Sequence, residues 1–503
     1  MERARNPQTA LWLVITFAIL HGLIWTDILI KLKAAQDVHM DVAEAFAWGQ
    51  KFQLGYGKHP PLAGWIAGLW FRFFPVADWA TYALAMTTLG IGLVICWLIA
   101  VRVVDYRRAF FVVVMLALYP IFNFKGFKYN PDLLQLVTLP LVVLAYLNAF
   151  EKCTWRSGIW LGLAGAAALM TKYWVLTMIG AIGLAALIHP ERLKFLRSPA
   201  PWVAMATLVV AMIPHLLWLK QVDFLPLTYA GDVYDLGDFA RSAKVVANYV
   251  GHNIALIAVP VALAALALAW PPRWIARVWS RGANPSVNFS QALNIWIIQV
   301  IVAIGPPIGG LIFEVYMKTD WGISLFFLTP LALVAIPALR LRAMAVVRLT
   351  LIWLIISLAT LAAAPRIAIA VLKDNPNADG YRARSQLARE LTEAWHMRFG
   401  TRWAVVAGTT EIGEPMTFYS VDHPAPLTPG EVWTSGLTSL DEAKRLGFIG
   451  ICDTSDNRLP TCEAWMKENA PNAEQIVMTT QRFFQGHPGP STAWKIFIQP
   501  PAK

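Results

Sequence analysis

Charged residues are scarce in this chain: Asp, Glu, Lys and Arg make up 15% of its 503 residues, against 57% that are hydrophobic. Soluble domains carry roughly a quarter of their residues as charges, so a soluble globular protein is excluded. Cysteine is almost missing as well. Four residues in a chain of this length cannot form a disulfide scaffold. There is no His-x-x-x-His pair and no paired-cysteine pattern, so the usual zinc signatures are absent. Strict apolar–polar alternation is missing too, which removes an outer-membrane barrel. Internal repeats and low-complexity tracts do not stand out, and no half-repeat is visible.

What the chain has is long apolar runs. A span must cover about 30 Å of hydrocarbon with about 20 residues and satisfy its own backbone hydrogen bonds, so the spans are helices. Runs occur near 9–30, 79–101, 109–123, 131–150, 158–172, 173–189, 201–219, 243–270, 291–313, 322–339 and 346–364. The fold expected is mainly α, a polytopic bundle of about eleven spans. The first run is longer than a signal-peptide core and lacks a small-residue cleavage site, so it reads as a retained span.

Basic residues set the orientation. With Arg3 and Arg5 in the cytoplasm, the inner loops carry Arg102, Arg107 and Arg108; Lys152 and Arg156; Arg192, Lys194 and Arg197; Arg273, Arg277 and Arg281; and Arg340, Arg342 and Arg348. That is the positive-inside pattern. The net charge of +11 is thus a topology signal, and no nucleic-acid footprint is read from it. An odd number of spans puts everything beyond Pro365 outside. Residues 1–365 read as the transmembrane domain, with a first external loop at 31–78, then a linker at 366–380, and 381–503 as a small external α/β domain. In that domain 381–398 reads as an amphipathic helix, 403–407 and 448–452 as strands, and 439–446 and 462–469 as helices. The stretches 475–484 and 493–499 read as β-rich. An oxidising compartment would let Cys452 and Cys462 pair.

Polar groups at the ends of spans are expensive unless paired, so they mark candidate chemistry. The unusual ones gather on the outer side. The first loop holds Asp37, His39, Asp41, Glu44, Lys51, Lys58 and His59. Met40 to Leu54 reads as an interfacial helix with Asp41 and Glu44 on one face and Val42, Phe46 and Phe52 available to lipid or protein. Lys125, Lys128 and Asp132 follow between spans three and four, where Pro131 and Asp132 suit a first helical turn. Lys172 interrupts an otherwise apolar run, and it either snorkels to the headgroups or meets an anion. His215 and Trp218 open the next outer loop, and Glu314, Lys318, Asp320 and Trp321 occupy the last one.

In their order, Asp41, the run His59, Pro60, Pro61 and Leu62, the stretch Asn130 to Leu134, Gly162 to Gly165, Thr171 to Tyr173, and Pro214 to Trp218 resemble the bacterial protein-mannosyltransferase-like superfamily of GT-C glycosyltransferases. That group includes the lipid A aminoarabinose transferases and the rhizobial lipopolysaccharide galacturonosyltransferases. The resemblance runs from about residue 20 to 340. It implies a transferase of the bacterial inner membrane that takes a sugar from a polyprenyl-phosphate donor. The acceptor would be lipid A, lipopolysaccharide or another envelope glycan on the periplasmic face. It also implies Asp41 as the base or acceptor-orienting acid, with Glu44 as a partner acid, and His59 as a donor-phosphate contact. Relatives often carry adjacent acids where this chain has Asp41 and Val42, and Asp320 stands where histidine is expected.

Ordinary chemistry supports those roles. A carboxylate within reach of the acceptor hydroxyl takes its proton, and preorganised cations stabilise the departing phosphate. Lys58, His59, Lys128 and Lys172 are the phosphate-binding candidates, with Asp132, His215, Lys318 and Trp321 as further site residues. No metal ligands are assigned and no cofactor is required, though a divalent cation is compatible. The partners expected are the lipid-linked donor, a lipid or glycan acceptor and membrane lipids. The competing readings are a protein O-mannosyltransferase and a non-enzymatic flippase or transporter of lipid-linked sugar.

Overall fold

A computed structural model describes residues 7–270, 287–431 and 436–502. Arg3, Arg5, Arg273, Arg277 and Arg281 lie outside the described residues. The chain opens with α1 (Pro7–Leu32), and the first loop then builds two short helices, α2 (Met40–Gly49) and α3 (Leu62–Phe73), before α4 (Asp78–Val103). Helix α5 (Tyr106–Ala117) gives way to 3-10 turns from Pro120 to Phe127, bent by 78° from it. The bundle continues with α6 (Pro131–Lys152), α7 (Trp155–Leu169), α8 (Leu176–Ile188), α9 (Arg192–Leu196), α10 (Pro199–Gln221) and α11 (Leu225–Tyr234). It closes with α12 (Phe239–Ala269), α13 (Phe289–Ile312), α14 (Thr329–Val334) and α15 (Ala343–Asp374).

Among the described residues, seven of these helices are long and apolar enough to cross a membrane, or eight counting the bent α5 pair. All eleven apolar runs fall on helical structure. The four outside the seven are α5 with its bent continuation, α7, α8, and the 3-10 segment Thr319–Leu328 leading into α14.

The two ends of the bundle differ in charge. At one, Arg102 pairs with Glu151 at 2.9 Å, buried Arg108 donates to the Leu339 carbonyl, and Ser290 donates to Glu191. The other end holds the first loop, the turn after α5, Lys172 and Lys318.

Beyond α15 the chain forms α16 (Arg384–Phe399), β1 (Val405–Ala407), α17 (Thr410–Tyr419), β2 (Ala425–Leu427), α18 (Leu440–Leu446) and β3 (Phe448–Asp453). Then come α19 (Leu459–Asn469), β4 (Glu474–Thr480), β5 (Phe483–Phe484), β6 (His487–Pro488) and β7 (Thr492–Gln499). The main sheet runs β2-β1-β3-β7-β4, with β1 parallel to both neighbours and β7 antiparallel to both of its own. Its core is Trp395, Trp403 and Trp494 packed with Ile449, Ile451 and Ile496. Cys452 is bonded to Cys462, which ties β3 to α19; Cys96 and Cys153 are free.

Three local readings change. Helix α15 passes through Pro365 to Asp374, so 366–373 is helix and not linker; apolar residues continue there, and Leu372 packs with Ala35 and Tyr381. The helix expected over Met40 to Leu54 stops at Gly49, where α2 meets α3 backbone to backbone. A Cβ on Gly49 would lie 2.5 Å from the Gly68 nitrogen. Helix α17, with Gly413 and Pro415 inside it, falls where no element is expected from sequence. It forms because Ile412 and Met416 enter the sheet core while Phe418 meets Phe46 of α2, edge to face at 5.4 Å.

That last contact seats the C-terminal sheet on the first loop. Asp37, which is buried, accepts from the Arg384 backbone nitrogen at 2.8 Å and from the Arg482 guanidinium at 3.1 Å. The Val38 nitrogen donates to the Tyr419 hydroxyl at 2.7 Å. Phe46 is therefore protein-facing, whereas Phe52 stays exposed.

The glycine contact is testable. Gly68→Ala places a Cβ 2.3 Å from the Gly49 carbonyl oxygen, and overpacking of this kind costs about 1–3 kcal/mol. Its thermal unfolding midpoint in detergent should fall. Gly180→Ala, whose Cβ meets nothing within 4 Å, should leave the midpoint unchanged.

Candidate active site

Asp41 occupies the first turn of α2, where a helix N-terminus favours a carboxylate. His39 caps that helix, its Nδ1 accepting from the Asp41 backbone nitrogen at 3.2 Å. Burial by itself would raise the Asp41 carboxyl. His39, Lys128 at 3.5 Å, a hydrogen bond from the Asn130 amide at 2.8 Å, and Lys318 outweigh burial and hold it well below the carboxylate range. Asn130 does two jobs. Its Oδ1 caps α6 by accepting from the Leu133 nitrogen at 2.9 Å, while its Nδ2 fixes Asp41.

One turn along α2, Glu44 points elsewhere. It is buried and pairs with Lys58 at 2.5 Å. Burial raises the Glu44 carboxyl to about 7, with Lys58 partly offsetting the rise. Lys58 is held above its ordinary range: burial opposes its charge, but Glu44 and Glu414 overcome that. His59, next in sequence, is pushed well below its ordinary value by burial and by the charges of Lys172 and Lys58, so it is a neutral imidazole. It stands edge-on to Trp48, which stacks on Tyr56 at 5.0 Å.

A second pair joins the span ends. Lys172 donates to Asp132 at 2.6 Å and lies over the Trp321 ring at 4.9 Å. Asp132 also accepts from Gln135, at 3.0 Å. Lys125 pairs with Asp320 at 3.2 Å, and His252 of α12 approaches the same carboxylate at 3.5 Å. A cavity runs between these groups, lined by Lys125, Lys128, Asn130, Asp132, Lys318 and Asp320 over an apolar floor of Ile121, Leu133 and Ile323. Lys318 at its edge has no ion pair or hydrogen bond from its side chain among the described residues.

This architecture matches solved structures of ArnT over nearly its whole length. ArnT from Cupriavidus metallidurans, bound to undecaprenyl phosphate, superposes with a TM-score of 0.62 over 98% of each chain at 11% identity. The apo state of the same protein gives 0.59 over the same coverage. The chain has the ArnT fold. The resemblance to the protein-mannosyltransferase-like superfamily holds in sequence too. Residues 58–218 match the family described as dolichyl-phosphate-mannose-protein mannosyltransferase. Lipid A galacturonosyltransferase RgtD of Rhizobium johnstonii is 22% identical over 240 residues, 45% of this chain. The chain spans about half the length of that curated relative, 47% of it.

On the ArnT fold, the residues singled out in sequence fall into three groups. Asp41, Lys128, Asp132, Lys172, Lys318 and Trp321 surround or border the cavity through the contacts above. Lys58 and Glu44 form their own buried pair beside it. His215 is a brace: its Nδ1 bonds the Leu54 carbonyl at 2.7 Å and its Nε2 the Tyr173 hydroxyl at 2.9 Å, which pins the first loop to α10. Sequence reasoning missed the second role of Asn130, together with His252 and Glu414. Asn130 was visible only as part of a helix-start motif, and His252 gives no local signal inside an apolar span. Among the described residues no group of three or more His, Cys, Asp or Glu side chains has metal-binding geometry.

Asn130 allows a clean separation of roles. Asp is as good an N-cap as Asn, so Asn130→Asp should keep the α6 cap and the wild-type helix content, while repulsion from Asp41 lowers the unfolding midpoint. It replaces the amide donor to Asp41 with a like charge, which raises the Asp41 carboxyl. Sugar transfer should then fall away on the acid side, at a pH where the wild type is unaffected.

Proposed function

We propose that the chain is an integral-membrane glycosyltransferase that moves a sugar from a polyprenyl-phosphate donor to a lipid A or related envelope-glycan acceptor on the periplasmic face of the inner membrane. The observation carrying this reading is an ionised, hydrogen-bonded carboxylate, Asp41, beside a lysine-lined cavity in a bundle with the ArnT fold. The ArnT structure with undecaprenyl phosphate and the lipid A transferase relative support the donor and acceptor classes. The segregation of basic loops to the opposite end supports the orientation.

In the mechanism, the acceptor oxygen attacks the anomeric carbon as the bond from that carbon to the phosphate oxygen breaks. The electron pair leaves with the polyprenyl phosphate. Asp41 accepts the acceptor's proton late, as the new bond forms, so a carboxylate that stays ionised over the working pH range serves. Lys318 is the cation free to meet the phosphate, and Lys172 and the neutral His59 donate from nearby. Single displacement inverts the anomeric centre. The prenyl tail lies along apolar helix faces, and this is the physical reason for a membrane body. The C-terminal part from α16 onward, seated on the first loop, serves acceptor recognition or covers the cleft.

A protein acceptor is the second reading, favoured by the protein mannosyltransferase description of the matching family. Supplying a labelled polyprenyl-phosphate sugar to the purified chain with lipid A, and separately with envelope protein, decides between them. Label on lipid A supports the first reading, label on protein the second, and label on neither overturns both.

Two variants test the roles. Asp41→Asn should lower kcat by about 10²–10⁴-fold with no change in fold. Lys318→Ala should raise the donor KM about tenfold while leaving stability unchanged, because its partner is the bound phosphate. Lys172→Ala is the less direct probe: it strands Asp132 without its counter-charge, so binding and stability fall together.

A further inference from the structure

The first loop and the C-terminal part of the chain meet over three buried or half-buried acids and one lysine. Glu44 and Lys58 come from the loop, Glu414 from α17, and Glu431 from the segment after β2. Glu414 is 1% exposed and its Oε2 has no hydrogen-bond partner. It sits where its charge repels Glu44 and Glu431 and attracts Lys58. Lys58 is already matched by Glu44 at 2.5 Å. Glu431 is engaged with Thr410 and with Arg458 at 3.3 Å. Among the described residues β1 and β2 contain no titratable residue, α16 shares the sheet core with α17 through Leu387, Leu391 and Trp395, Glu411 of α17 pairs with Arg458 at 3.4 Å, Tyr229 of α11 faces Lys58, and His423, held by the Thr417 carbonyl, stands edge-on to Phe46 at 5.1 Å. On α2, Asp41 is the other acid, and it adds to the negative field on Glu44.

One ammonium cannot neutralise two desolvated carboxylates. An unpaired buried charge costs several kcal/mol, and the group takes up a proton to avoid that cost. We propose that Glu414 is a positioning residue for the Lys58–Glu44 pair, reaching it from the C-terminal part of the chain as a neutral, protonated carboxyl that keeps α17 seated on α2. This rests on the reading that the first loop forms the transfer site. When Glu414 loses its proton, a second negative charge appears in the seam. Lys58 is then drawn between two carboxylates, and α17 is pushed from α2 together with the Phe46–Phe418 contact. The sign follows from burial, which raises the Glu414 carboxyl well above its ordinary value. The folded state holds the proton more tightly than the unfolded one. The seam therefore weakens as pH rises from the unfolded carboxyl range toward the folded value.

The test uses the full chain in detergent, with the Glu414→Gln and Glu414→Ala variants. Kinetics of transfer from a polyprenyl-phosphate sugar and thermal unfolding midpoints are measured from pH 6 to 9. Gln copies the neutral carboxyl, so at pH 6 it should match the wild-type donor KM and unfold at a midpoint no lower than that of the wild type. At pH 9 the wild-type donor KM should be about threefold higher than that of the Gln variant, and the wild-type midpoint should fall more steeply with pH. Ala leaves a gap and should be impaired at every pH. The proposal is overturned if Gln behaves like Ala throughout, or if the wild-type and Gln midpoints run parallel across the range. Should the wild type transfer no sugar at all, the reading of the transfer site fails, while the comparison of midpoints still decides the state of Glu414.

Discussion

Charge matching governs this end of the molecule. Four of the lysines gathered there already have a carboxylate: Lys58 has Glu44, Lys125 has Asp320, Lys128 has Asp41 and Lys172 has Asp132. In a region bordered by hydrocarbon, such pairing is what allows the charges to be there at all. It also makes the pairs part of the scaffold. Removing one member leaves the other stranded, so they cannot all be spent on a ligand. Lys318, on the cavity wall, has no carboxylate partner among the described residues, which is why the proposed function gives it the donor phosphate.

The pairing also separates two acids that share a helix. Asp41 looks toward Lys128 and Asn130 and stays ionised, whereas Glu44 is buried against Lys58 and held near 7. One turn of helix is enough to give them different surroundings, and different surroundings give them different protonation behaviour. The acid with hydrogen-bond donors pointed at it is the one equipped to orient a hydroxyl. The other is buried against Lys58 at the seam.

Much of the bundle was legible in sequence because twenty-residue apolar runs have few physical outcomes. All eleven runs are helical, and the described basic loops sort to one end. Several candidate residues that meet at this end stood out against an apolar background: Lys172 within an uninterrupted run, Asp132 behind Pro131, Asp41 at a helix start. Contacts made over long sequence distances could not be read. Asp37 meets Arg384 and Arg482, and Phe46 meets Phe418, across more than three hundred residues. Helix α17 was hidden by Gly413 and Pro415, whose local preference is overruled by the burial of Ile412 and Met416. Prolines misled in the same way at Pro365, where neighbouring apolar packing carries α15 onward.

The anchoring of Asp37 has a consequence for biogenesis. Asp37 lies four residues before Asp41, and its partners are the backbone of Arg384 and the side chain of Arg482. The ribosome reaches Arg482 445 residues after Asp37. Helix α2 therefore lacks this support until Arg384 and Arg482 have been made, and a product cut short before them has the membrane body without an anchored first loop. The order of the first loop is thus fixed after the membrane body has been made, as folding in units during synthesis allows.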